Sequence, residues 1–159
     1  MAAQMNQSWR DKHMIDRKAR DGYAELLRHF AAGRILNWDY EDASDAFTDS
    51  DDPAVFRVFQ AVWPSYCDPR MHYMTGKNRL DRERRHIVAR YILFLRSGRE
   101  YEWPLPSKKR ALLNLVTLGI CGWLHPLPPS NGDEEVWPFF RRSDLEEEIA
   151  RPRFLAGFR

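Results

Sequence analysis

The stretch Asp81–Pro104, DRERRHIVARYILFLRSGREYEWP, decides the fold. Ile87, Val88, Tyr91, Ile92 and Leu95 recur at helical spacing, and Leu93 and Phe94 widen the stripe, which predicts a helix from about Asp81 to Ser97. A helix apolar over so much of its circumference needs other helices around it. Its first turns carry Arg82, Arg84, Arg85 and His86, which must face water or an acidic neighbour. Beyond Ser97-Gly98 the period changes to two. Tyr101 and Trp103 alternate with Glu100 and Glu102, as in an extended segment with its aromatics packed and its carboxylates out.

Upstream, Ile15, Ala19, Tyr23, Leu26, Leu27 and Phe30 predict a helix over roughly Trp9 to Ala32, with Ser8 and Asp11 in capping-box spacing and a weak point at Gly22. Gly33 fits the left-handed position past its end. Asn37 to Asp52 (NWDYEDASDAFTDSDD) reads as an acidic connection with at most a short helical turn, pinned to the body by Trp38, Tyr40 and Phe47. Asp52-Pro53 marks a helix start. That helix has a stripe of Val55, Phe56, Phe59, Val62, Trp63 and Tyr66, and it ends or kinks at Pro64. A polar loop, Asp68 to Leu80, contains Thr75-Gly76-Lys77.

Downstream, a helix is expected from Ser107 to about Trp123, then a proline-rich loop, a turn over Asp133 to Phe140, and a short helix from Ser143 to Ala150 stopped by Pro152. Phe154, Leu155 and Phe158 are expected to dock the tail. Each of the pairs Trp63-Pro64, Trp103-Pro104 and Trp137-Pro138 is expected to end a regular segment and pack its indole at the boundary. The sum is an all-α chain. A single domain spans 1–159 with loose ends at 1–7 and 156–159, an irregular bundle of five or six helices around a buried central helix at about 81–97.

Composition narrows the function classes. The chain of 159 residues can bury a core of its own. Its 25 basic and 23 acidic residues leave a net charge of +2, too small to imply a nucleic-acid partner from totals. Cys67 and Cys121 make neither a disulfide framework nor a zinc set, which favours a reducing compartment. The N-terminus has no apolar signal region, and the 13-residue apolar run Leu112–Leu124 is shorter than the ~20 residues of a membrane span. A cytoplasmic protein without membrane contact is expected.

No catalytic or metal motif emerges. His13, His29, His72, His86 and His125 form no HExxH-type pair, and Cys67 with His72 is two ligands, not a site. Asp49, Asp51 and Asp52 lack the glycine and terminal glutamate of an EF-hand. There is no GxSxG elbow, and Thr75-Gly76-Lys77 lacks the upstream glycine of a phosphate loop. No cofactor, metal or catalytic residue is assigned, and an enzyme with a dispersed active site stays as an alternative. Nine arginines and lysines lie between Arg70 and Arg99, so Arg79, Arg82, Arg84 and Arg85 are candidates for phosphate contact. The acidic segment at Asp45 to Asp52 is a sufficient internal partner for that charge.

Ile92-Leu93-Phe94-Leu95-Arg96-Ser97 followed by Glu100-Tyr101-Glu102-Trp103-Pro104 resembles a group of small uncharacterised bacterial proteins with an ILFLxS…EYEWP signature. The resemblance extends to Phe30–Asn37, to Asp51-Asp52-Pro53-Ala54 and, in outline, to Thr75-Gly76-Lys77, where Met74 stands in place of leucine. It covers roughly Leu26 to Pro104. Trp63-Pro64 departs from the continuous helix usual in that group. Its members are similar to the helical immunity proteins of polymorphic toxin systems, which implies a non-enzymatic fold that binds and masks a toxin. On this reading the interface is Asp39, Glu41, Asp42, Asp45, Asp49, Asp51 and Asp52, with Trp38 and Tyr40 as anchors, and the partner is a basic protein. A nucleic-acid-binding regulator built on the basic helix start is the rival.

Overall fold

A computed structural model describes residues 15–66, 69–104 and 131–151. Among them the regular elements are helical: α1 (Arg17–Ala31), α2 (Asn37–Thr48), α3 (Pro53–Val62), α4 (Arg82–Arg96) and α5 (Arg142–Ala150). Three 3-10 turns lie at Trp63–Ser65, Gly76–Asn78 and Glu134–Val136, and one isolated antiparallel bridge joins Leu36 to Tyr73. The chain is therefore an all-α helical bundle. The Ser8 cap, the 107–123 helix, both cysteines, Pro152 and the docked tail lie outside the described residues.

Helix α1 begins at Arg17, later than the expected Trp9, because Asp16 is its N-cap and accepts from the Ala19 amide at 3.0 Å. Gly22 does not break it. A methyl group there would overlap the Phe47 ring, so glycine lets α2 approach α1 closely. The far end is a Schellman motif: Gly33 has φ +67° and bonds back to the Phe30 carbonyl, while the Arg34 amide reaches His29.

α1 packs on α2, α3 and α4, and α3 packs on α4. It buries Ala19, Arg20, Tyr23, Ala24, Leu27 and Phe30, whereas α4 buries Val88, Phe94 and Leu95 and leaves its first turns in water. α3 starts as expected, with Asp52 accepting from Ala54 and Pro53 in the first position, and passes into a 3-10 turn at Trp63. Its buried stripe is Ala54, Val55, Val58 and Val62. Phe56 and Trp63 point outward instead, because a stripe through 55, 58 and 62 puts both of them on the far side.

The extended exit from α4 forms as read. Tyr101 and Trp103 are buried while Glu100 and Glu102 are exposed. The Trp103 indole donates to the carbonyls of Pro138 and Phe139 at 3.0 and 3.2 Å, and Trp137 donates to the Tyr101 hydroxyl at 3.2 Å. Phe139 meets Phe94 edge-on at 5.0 Å. Two of the three Trp-Pro pairs thus pack; Trp63, 57% exposed, does not. α5 starts at Arg142, so Ser143 lies inside the helix and is not its cap.

Candidate functional site

The acidic segment is a regular helix, a correction to the expected loop. Serine, aspartate and asparagine weaken helix propensity but do not forbid it once one face is anchored. The anchoring starts at Asn37. Its amide donates to the His72 carbonyl at 3.0 Å, its Oδ1 accepts from the His72 amide at 2.9 Å, and its Nδ2 reaches the carbonyls of Tyr66 and Arg70 at 3.2 and 3.1 Å. Every polar group of this buried side chain is used, and the helix start is fixed to the 70–73 segment.

The inner face then enters the core. Tyr40 stacks on Phe30 at 4.3 Å and meets Tyr66 edge-on at 5.0 Å. Its hydroxyl lies 2.7 Å from that of Tyr23. Burial pushes the Tyr23 and Tyr40 hydroxyls well above the ordinary phenol range, so both stay neutral. The Ser44 hydroxyl donates back to the Tyr40 carbonyl at 2.7 Å, and Phe47 packs on Tyr23. Residues 37, 40, 44 and 47 form this inner stripe.

On the outer stripe lie Trp38, Glu41, Asp42, Asp45 and Asp49, at helical steps of three and four. Asp39 flanks it, and Asp51 follows in the link to α3. All six carboxylates are exposed, and none makes an ion pair among the described residues, although elsewhere most acids are paired. Asp45 and Asp49 sit at the C-terminal end of α2, where the helix dipole disfavours negative charge. Trp38 is 44% exposed. The result is an acidic face anchored from its inner side and uncompensated among the described residues, with an aromatic at its N-terminal end.

Two expected contact residues are elsewhere. Tyr40 is fully buried in the aromatic core, so it cannot anchor a partner. Asp52 is 1% exposed and bound to Arg20 through Nε–Oδ2 at 2.5 Å and Nη2–Oδ1 at 3.0 Å. It also accepts from the amides of Ala54 and Asp16 at 3.0 and 3.1 Å. Its role is to join the starts of α1 and α3. Sequence spacing could not separate it from Asp49 and Asp51; only the proline after it marked a different task.

Arg79, Arg82, Arg84 and Arg85 are exposed as expected, but the acidic helix is not their internal partner. Arg84 pairs with the α4 cap Asp81 at 3.6 Å and Arg85 donates to the Asp81 carbonyl, while Arg79 and Arg82 make no ion pair among the described residues. Sequence reasoning missed Met71, which is exposed, as is Tyr73, held beside the start of α2 by the Leu36–Tyr73 bridge.

A groove of about 230 Å³ between α3 and α4 is walled by Val62, Pro64, Leu80, Ile87, Val88 and Tyr91, with Ser65 and Arg84 at its edge. Its described lining gathers no acid–base pair. Among the described residues no cluster of His, Cys, Asp and Glu could hold a metal, and no helix is long and apolar enough to cross a membrane. No protein-family model, curated protein or solved structure matches the chain.

Proposed function

We propose that this protein is a non-enzymatic binding module whose outer α2 face docks a basic protein. The observation that carries the reading is the row of Asp39, Glu41, Asp42, Asp45, Asp49 and Asp51, exposed and without counter-ions among the described residues, on a helix locked into the core from its other side. A preorganised charged face steers an oppositely charged partner and loses little freedom on binding. Trp38 supplies apolar contact at its edge, and Met71 and Tyr73 extend that edge. Within this reading the finer assignment is an immunity-type protein that masks the cationic cleft of a toxin in the cytoplasm, supported by the resemblance of residues 92–104.

The test begins with the neighbouring gene product or a protein captured from the native cell, whose association rate is then measured. Reversal of Asp45 and Asp49 to lysine is expected to slow association and flatten its salt dependence. Equal rates for both proteins would remove the reading.

The rival, nucleic-acid binding through Arg79, Arg82 and Arg85, draws on their exposure and on their lack of ion pairs among the described residues. It requires a salt-dependent affinity for a short duplex or single strand. Absence of binding at low salt ends it.

A further inference from the structure

The acidic face of α2 and the start of α4 each include charge that the helix dipole disfavours, beside the favourably placed Asp39 of α2 and Asp81 and Glu83 of α4. α2 carries Asp45 and Asp49 at its C-terminal end. α4 carries Arg82, Arg84 and Arg85 at its N-terminal end. Arg84 is engaged by Asp81, but Arg82, Arg85 and His86 point from one side of the helix, at positions that also include Ala89. These four residues line a hollow of about 410 Å³ with no carboxylate among them. α1 packs on both helices, and among the described residues no ion pair connects the acidic row to the basic one.

We infer that the occupant of this basic hollow is the acidic α2 face of a second copy of the chain. The two surfaces match in charge. The exposed α2 face, with Glu41, Asp42, Asp45 and Asp49 along one stripe, carries the charge opposite to that of the hollow lined by Arg82, Arg85, His86 and Ala89. Contact would put anions at the positive end of α4 and cations at the negative end of α2, relieving both unfavourable placements. The patches differ, so the contact is heterologous and repeats head to tail. It rests on the reading that the outer α2 face is a docking surface. It adds that the face is self-occupied until a basic partner competes for it.

The experiment is sedimentation of the full chain at about 0.02 M and about 0.5 M salt, across which screening of exposed charge becomes nearly complete. The expected result is a mass that rises with concentration beyond a dimer at low salt and falls to the monomer at high salt. D42K/D45K alone and R82E/R85E alone are expected to stay monomeric at low salt. An equimolar mixture of the two is expected to associate in pairs, because D42K/D45K keeps the basic hollow and R82E/R85E keeps the acidic α2 face. A wild-type monomer at low salt overturns the inference, as does a mixture that fails to associate. Binding of an oligolysine peptide in the same buffer separates the two ideas. If wild type binds it, D42K/D45K does not, and wild type remains monomeric, the self-contact is wrong and the acidic docking face stands. If neither association nor peptide binding occurs, both fall. A short DNA duplex bound by monomeric wild type but not by R82E/R85E would give the hollow to nucleic acid instead.

Discussion

The Arg20–Asp52 pair offers the sharpest test of the fold. Both side chains are 1% exposed, and two hydrogen bonds join them in a bidentate arrangement. The Arg20 guanidinium also donates to the Arg99 carbonyl at 2.6 Å and lies 5.4 Å from the centroid of the Phe94 ring. Asp52→Asn keeps shape and helix capping, since an amide oxygen can still accept from Ala54. What it removes is the negative charge, leaving the guanidinium buried with neutral partners. Breaking a buried pair from one side costs about 3–5 kcal/mol. Arg20→Met is expected to cost less, because the Asp52 carboxylate keeps two backbone donors. The double variant R20M/D52N should recover much of the loss, as neither half then buries an unpaired charge. Urea unfolding reads all four proteins, with the m-value checked for constancy. A D52N cost below about 1 kcal/mol, the size of a surface pair, would refute burial of this network.

Other perturbations probe separate parts of the molecule. Gly22→Ala should lower stability in the wild type, where the added methyl meets Phe47, yet raise it by up to about 1 kcal/mol in an F47A background, where only helix propensity remains. Thermal unfolding of the four proteins checks that reversal of sign. At the acid side, the Asp16 carboxyl is held below the usual carboxylate range by the Ala19 amide and the Ser50 hydroxyl. Its contribution is therefore complete above about pH 4 and lost as pH falls through its lower folded value, and Asp16→Asn should flatten the acid limb of a stability–pH curve. Arg99 holds Asp144, Glu147 and Glu148 of α5 at 3.0, 2.5 and 3.4 Å, and that helix buries only Glu148 fully. Arg99→Ala is expected to raise amide exchange across 142–151 while the Trp103-clamped 133–140 stays protected; equal exchange in both segments would show that apolar contacts hold α5.

Apolar periodicity made α1, α3 and α4 legible, and the Asp52-Pro53 and Gly33 signals fixed the start of α3 and the end of α1. α2 was not legible as a helix. Its inner stripe consists of Asn37, Tyr40, Ser44 and Phe47, two of them polar: Ser44 turns back onto the Tyr40 carbonyl, and Asn37 is satisfied by the remote carbonyls of Tyr66, Arg70 and His72. A period count over apolar residues cannot register a stripe of that kind. The same remoteness hid the division of labour among the aspartates: Asp52 faces an arginine 32 residues away, whereas Asp49 and Asp51 face water. The α4 exit was readable because an alternating period of two needs only local residues. The exposure of Trp63 was not, since it depends on which side of α3 meets α1.

The most direct measurement on the docking reading is the association rate of the captured basic partner with wild type and with D45K/D49K, at low and high salt. Removing two anions from the C-terminal end of α2 should leave the fold as stable or more stable, by about 0.3–1 kcal/mol for each charge. The expected result is slower association with a weaker salt dependence in this equally or more stable protein. An unchanged rate and an unchanged salt slope would contradict the assignment of the α2 face.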